Sequence, residues 1–218
     1  GYLRSSRQGE SPSAALTLRG QHWRACCGNL RLLHHRRGRR RGHRPVQVPR
    51  RGGGRGHKVY FAPFNQDNVG VFDAATSTFS TIGTSFLGVS AGFKYKGAAA
   101  VGTIVYFAPY YEDNVGVFDA ATSTFSTIST AAAGVTANYK YAGAAAVGGM
   151  VYFAPFSQDN VGVLAIATSA FSTIGTASAG VSGSYKYAGA AAVGTNVYFA
   201  PSGMGNVGML DTTTSTFT

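Results

Sequence analysis

Three lysines, 46 residues apart and each set between aromatic residues, are the side chains best placed to do chemistry: Phe93-Lys94-Tyr95, Tyr139-Lys140-Tyr141 and Tyr185-Lys186-Tyr187. An ammonium beside ring faces suits an anionic or sugar-like ligand, or a protein loop. The same interval returns four short loops: Phe64-Asn65-Gln66-Asp67, Tyr110-Tyr111-Glu112-Asp113, Phe156-Ser157-Gln158-Asp159 and Ser202-Gly203-Met204-Gly205. These add amides, phenols and the acid pair Glu112-Asp113. That pair occurs in one loop only, a thin basis for acid–base work. Residues 58–218 contain neither His nor Cys, which excludes a Ser-His-Asp triad and a nucleophilic thiol there. Asp73, Asp119 and Asp211 each precede a turn, where a carboxylate accepts hydrogen bonds from turn N–H groups. Ala165 replaces them in the third copy, against a symmetric catalytic role. Asp67, Asp113 and Asp159 read as turn residues too, and their spacing matches no calcium loop. No cofactor motif is expected.

The elements that position these residues follow from the period. Residues 59–104, 105–150 and 151–196 are near copies, and 197–218 begins a fourth. A fixed interval of this size marks a repeat architecture. Each copy carries four strand-like pieces; in and after the second they are Val105–Ala108, Val115–Phe118, Thr124–Ile128 and Gly143–Val147. Pro, Gly, Asn, Asp and Ser fill the gaps. Gly143–Val147 is small and apolar, as an innermost strand crowded near an axis requires. Val105–Ala108 is bulky throughout, as a strand covered on both faces requires. Thr124–Ile128 is more polar and suits an outer strand. The expectation is all-β: a β-propeller of about four four-stranded blades, an incomplete ring, in residues 58–218. In unit order, Lys58–Gly92 is expected to be a blade lacking its inner strand.

The stretch YKYAGAAAVGGMVYFAPF, followed by VGV and a DAATSTF-type ending, resembles a kelch-type repeat, and VYFAPSGMGNVGMLDTTTSTF is similar to YVTN-type propeller repeats. The resemblance covers 58–218. Ala108-Pro109 and its equivalents stand where kelch repeats carry a Gly-Gly pair, and Phe79, Phe125, Phe171 and Phe217 stand in place of a late Trp. The resemblance implies a propeller used mostly as an interaction module.

The start of the chain differs in kind. Residues 1–57 hold fourteen Arg against one Glu, a net of +13, whereas 58–218 hold five Lys against seven acids, a net of −2. Read directly, 1–57 is an Arg-rich disordered segment able to neutralise nucleic-acid phosphates. Cys26-Cys27 lack a second ligand pair at zinc spacing. The alternative hypothesis is an out-of-frame translation of another repeat from about 18 to 57. Shifted by one base, the codons from Gly20 are compatible with DNIGVLAAATSAFSTIG, which agrees at fifteen of seventeen positions with 159–175. In that reading an inner strand lies hidden at 50–55. Stop codons in the shifted frame of the gene would end the idea. The chain begins without Met and stops within a repeat, so a fragment is expected. No apolar run of membrane-spanning length occurs, and no membrane partner is expected.

In an up-and-down blade, the second–third strand loop shares a rim with the link to the next blade. The copies differ most on that rim, which also receives the three lysines. The candidate ligand-binding residues are Phe64, Asn65, Tyr110, Tyr111, Glu112, Phe156, Lys94, Lys140 and Lys186. The plainer reading makes the rings blade packing and the lysines solvated tips. The function expected is a non-catalytic binding or interaction scaffold, its partner a protein or an anionic or sugar-like ligand on the loop rim. The alternatives are a fragment of a propeller enzyme acting on glycans or related polymers, and nucleic-acid binding through a genuine 1–57. Self-association through open blade edges is expected as well.

Overall fold

A computed structural model describes residues 47–48, 58–84 and 92–218. Their strands form four antiparallel sheets, each a meander in which chain neighbours pair. The first sheet is β1 (Gln47–Val48), β2 (Lys58–Phe61), β3 (Asn68–Asp73) and β4 (Thr78–Gly83). The second is β5 (Tyr95–Val101), β6 (Ile104–Pro109), β7 (Asn114–Asp119) and β8 (Thr124–Ser129). The third is β9 (Tyr141–Val147), β10 (Met150–Pro155), β11 (Asn160–Ala165) and β12 (Ala170–Gly175). The fourth is β13 (Tyr187–Val193), β14 (Asn196–Pro201), β15 (Gly208–Asp211) and β16 (Thr216–Phe217). Short 3-10 turns at Ala131–Ala133 and Ala177–Ala179 lead into the third and fourth sheets. These are consecutive blades of a β-propeller.

The small residues sit where the inner strands meet. A methyl group added at Gly97 would lie 2.6 Å from the Gly143 Cα, and one added at Gly143 would lie 2.6 Å from the Gly189 Cα. Backbone therefore touches backbone from β5 through β9 to β13, and only glycine fits. Within the second, third and fourth blades a Tyr and two Phe form a ring cluster. In the third blade the Tyr141–Phe153 and Phe153–Phe171 centroids are both 6.0 Å apart. Gly162 on β11 makes room for it, since a Cβ there would lie 2.8 Å from Phe171 and 2.9 Å from Tyr141.

Between blades, one Tyr of β2, β6 or β10 packs on the following blade. Tyr60 meets Phe118 at 5.2 Å between centroids, and Tyr106 and Tyr152 share clusters with Leu164 and Leu210. The outer strands bury little, as their polar alternation requires. The acids before the turns act as expected: Asp73, Asp119 and Asp211 accept the N–H of Ala75, Ala121 and Thr213 at 2.8–2.9 Å.

One expectation needs correction. The first blade does not lack an inner strand, because Gln47 and Val48 pair with Val59 and Lys58. That strand is two residues long, while β5, β9 and β13 have seven each. The strand expected at 50–55, and the readings of the basic segment outside 47–48, lie outside the described residues.

Candidate functional site

The three rim lysines are not solvated tips. Lys94, Lys140 and Lys186 are fully buried. Each ammonium reaches back to the preceding blade's second–third loop: Lys94 to Asp67 at 2.8 Å, Lys140 to Asp113 at 2.8 Å and Lys186 to Asp159 at 2.9 Å. Lys140 Nζ also donates to the Tyr111 carbonyl at 2.9 Å, and Lys186 Nζ to that of Gly183. A buried ammonium needs a counter-charge and further acceptors, and these loops supply both. The carboxylates stay about half open to water.

The lysine backbones complete the join. Lys94 N–H donates to the Phe64 carbonyl at 2.9 Å, and the Lys94 carbonyl accepts from Tyr110 N–H at 2.9 Å. The pattern continues through Lys140, Phe156 and Lys186 to Ser202, one unbroken hydrogen-bonded zigzag across four blades. Second–third loops and inter-blade links therefore share a rim, as strand parity requires. Thr130 and Thr176, at the head of two links, donate their N–H to the carbonyls of Asp113 and Asp159.

Burying each lysine turns its preceding aromatic residue outward. Phe93, Tyr139 and Tyr185 have φ of 61°, 57° and 62°, a left-handed conformation that bulky residues rarely adopt. The surrounding bonds hold them there; the Asn65 side-chain oxygen accepts Phe93 N–H at 3.0 Å. The displaced rings join those of the loops in a continuous ladder. Phe64 meets Phe93 at 5.2 Å, Tyr111 meets Tyr139 at 4.8 Å edge-on, and Phe156 meets Tyr185 at 5.2 Å edge-on. Tyr110 links them, 5.2 Å from Tyr139 and 5.5 Å from Phe156. Tyr110 and Phe156 are buried beneath, with Ala142 of the inner strand, while Phe93 and Tyr185 are exposed. The hydrogen bond that the Tyr111 phenol donates to Tyr139 is the main cause that pushes it up to about 12.

Two charged groups depart from the repeat on this surface. Lys96, on β5, takes the position that Ala142 and Ala188 hold in the next two blades. Its Nζ stands 4.2 Å from the Phe156 ring centroid and 4.9 Å from that of Tyr110. Glu112 replaces the Gln66 and Gln158 of its neighbours. Partial burial raises its carboxyl above the usual range, against the opposing pull of Lys94 and Lys140.

Of the nine residues singled out in the sequence, the structure gathers Phe64, Tyr110, Tyr111 and Phe156 in the ladder and sets Asn65 and Glu112 at its border. Lys94, Lys140 and Lys186 lie beneath as inter-blade joints. Sequence reading did not single out Lys96, and it named Phe93, Tyr139 and Tyr185 only as neighbours of the lysines. The available signal was the offset of each lysine from an acid 27 residues earlier, which co-repeats three times and marks a buried pair.

No protein-family model and no curated protein sequence matches the chain. Solved structures do resemble it in shape. A chain of a nidogen/laminin complex superposes with a TM-score of 0.55 at 11% identity, covering 81% of this chain and 66% of that one. Virginiamycin B lyase from Staphylococcus aureus gives 0.53 at 11% identity, covering 74% and 51%. The extracellular domain of a one-component system from B. thetaiotaomicron gives 0.52 at 10% identity, covering 75% and 22%. The chain thus spans from about a fifth to two thirds of these neighbours. What they share with it at such low identity is the β-propeller fold.

Proposed function

We propose that the chain is a non-catalytic binding scaffold whose ligand surface is the aromatic rim, and that the ligand is sugar-like. The carrying observation is the aromatic ladder running from Phe64 and Phe93 to Tyr185, with its outward residues held at positive φ. Backbone strain at a bulky exposed residue calls for a reason beyond packing. The anionic half of the sequence expectation is weakened, since Lys94, Lys140 and Lys186 spend their charge on Asp67, Asp113 and Asp159. Rings and phenols are what the rim offers, and those recognise the apolar face and hydroxyls of a neutral saccharide. Among the described residues no cluster of metal-ligating side chains accompanies it. The strand and turn signatures VGV and DAATSTF support a repeat of kelch or YVTN type.

The test is calorimetric titration with a neutral oligosaccharide, cellohexaose, and an acidic one, an oligogalacturonate. Tighter binding of cellohexaose, weakened about tenfold or more in Tyr139→Ala plus Tyr185→Ala, is the expected result, a loss of about 1.4 kcal/mol. Binding of neither, or binding indifferent to the two substitutions, sinks the reading. The half-buried Glu112 beside the aromatic ladder supports a second reading, a glycan-acting enzyme in which Glu112 is the acid to test. Turnover of a glycan that disappears in Glu112→Gln would put that reading first.

A further inference from the structure

The interface between blades is built three times in this chain, and its two halves are each left over once. In the third blade, the face turned to the fourth carries Ala145, Tyr152, Ala154, Val161 and Val163, all buried. One repeat later the same positions are Ala191, Tyr198, Ala200, Val207 and Met209. Ala200 is now exposed, Val207 is 57% exposed, and the other three are only partly covered. At the other end, the opposite face of the first blade carries Phe61 and Phe72. Their equivalents Phe107, Phe153 and Phe199, and Phe118, Leu164 and Leu210, are fully buried, while Phe61 and Phe72 are partly open. Among the described residues both faces are open, so the first and fourth blades do not close on each other.

We infer that the fourth blade of one copy docks on the first blade of a second copy, head to tail, repeating the internal interface between chains. The Tyr198 ring of one chain takes the place against Phe72 of the other that Tyr60 takes against Phe118. The two open faces match because each is one half of an interface that the chain already builds between its own blades. Each internal joint sets a buried lysine of the following blade against an acid of the preceding loop. The fourth blade has Gly205 where the others have Asp67, Asp113 and Asp159. A joint at this end therefore forms without the lysine–acid pair of the internal joints. A head-to-tail interface closes into a ring or grows into a filament. Two copies of four sheets give eight blades, the upper end of the common range of about four to eight.

Sedimentation velocity of the full chain over a concentration series tests this. The wild type is expected to run as a dimer or larger. Ala200→Arg and Val207→Asp, both at exposed positions, are expected to run as folded monomers, as is Phe72→Glu at the other end. Should Phe72→Glu fail to fold, Phe79→Glu on the outer strand takes its place. Mixing Ala200→Arg with the first-blade variant restores one intact interface and should give a heterodimer that goes no further. A wild type that stays monomeric throughout overturns the inference. So does assembly that survives Ala200→Arg and Val207→Asp, or folded monomeric variants that do not pair when mixed.

Discussion

The third and fourth blades are written in almost the same residues and end in different states. MVYFAP and NVYFAP form β10 and β14 with matching register to the strands on either side. Yet Ala154 and Pro155 are buried while Ala200 and Pro201 are exposed. A bulky apolar run in one strand is therefore no evidence of burial by itself; the neighbouring blade supplies it. Repeat proteins hold together through such nearest-neighbour terms more than through any one unit. The fourth blade shows a second difference. In the second and third blades the inner-strand Tyr donates to an Asn of the third strand, Tyr95 to Asn114 and Tyr141 to Asn160, the latter at 2.5 Å. The Tyr187 hydroxyl is buried and finds no partner among the described residues. Its third strand starts at Gly208, so Asn206 lies in the loop rather than in the ladder.

Truncating the interface tyrosine should break this comparison most visibly. Tyr152→Ala removes a ring that is 6% exposed and packed with Leu210, at an expected cost of about 3 kcal/mol. Tyr198→Ala, at the partly open equivalent, should cost about 1 kcal/mol or less in the monomer. Urea unfolding of the two variants under dilute conditions measures the gap. Equal losses would show that the fourth blade's face is covered after all.

The inter-blade joints come next. Asp159→Asn leaves Lys186 fully buried beside a neutral amide. The expected loss is about 2–3 kcal/mol, under the usual figure for breaking a buried pair because the carboxylate is 56% exposed to water. The reciprocal change, Gly205→Asp, supplies a carboxylate with no lysine to meet and should change monomer stability little. A large gain in Gly205→Asp would mean that a cation already waits there. Thermal melts at low and moderate salt separate the two cases.

These joints also show what was legible in the sequence and what was not. The period, the four strands of each copy and the small inner strand could all be read, because each depends on local residue type. That Asp119 accepts a turn N–H followed for the same reason. The fate of Lys94, Lys140 and Lys186 could not be read from local type, since a lysine between aromatic residues fits a surface tip as well as a buried joint. It depends on a loop 27 residues earlier and on a backbone reversal at Phe93, Tyr139 and Tyr185. Residue preference predicts no such reversal, because these bulky residues are held at positive φ by their surroundings. The short inner strand β1 was missed for a related reason: its pairing with Lys58 and Val59 does not follow the 46-residue interval.

A glycine pair gives a smaller and cleaner contrast. Gly143→Ala forces a methyl group to 2.6 Å from the Gly189 backbone, so two inner strands must part, at an expected cost of about 1–3 kcal/mol. Gly175→Ala, at the end of the outer strand β12 with nothing within 4 Å, should be neutral or slightly stabilising. If the two melt alike, the inner strands are not packed backbone to backbone.

The smallest expected effect concerns the turn carboxylate that the third blade lacks. Asp119 accepts the N–H of Ala121, and Asp211 accepts the hydroxyl and then the N–H of Thr213; these bonds hold their carboxyls below the ordinary value of 3.8. The third blade has Ala165 at this position, while its turn keeps the same left-handed serine, Ser169 at φ 54° beside Ser123 at 59°. Ala165→Asp should therefore enter a turn already shaped to receive it and raise the melting temperature slightly. A carboxyl whose folded-state pKa is lowered adds stability above its unfolded pKa, and that stability is lost as pH falls through the folded value. The gain over the wild type should thus be full at neutral pH and shrink as the solution is acidified below the ordinary carboxylate range. A gain of the same size at neutral and acidic pH would mean that the new carboxylate works through something other than the turn bonds. No gain at neutral pH would mean that the backbone between Ala165 and Ser169 does not offer its N–H groups as the other blades do.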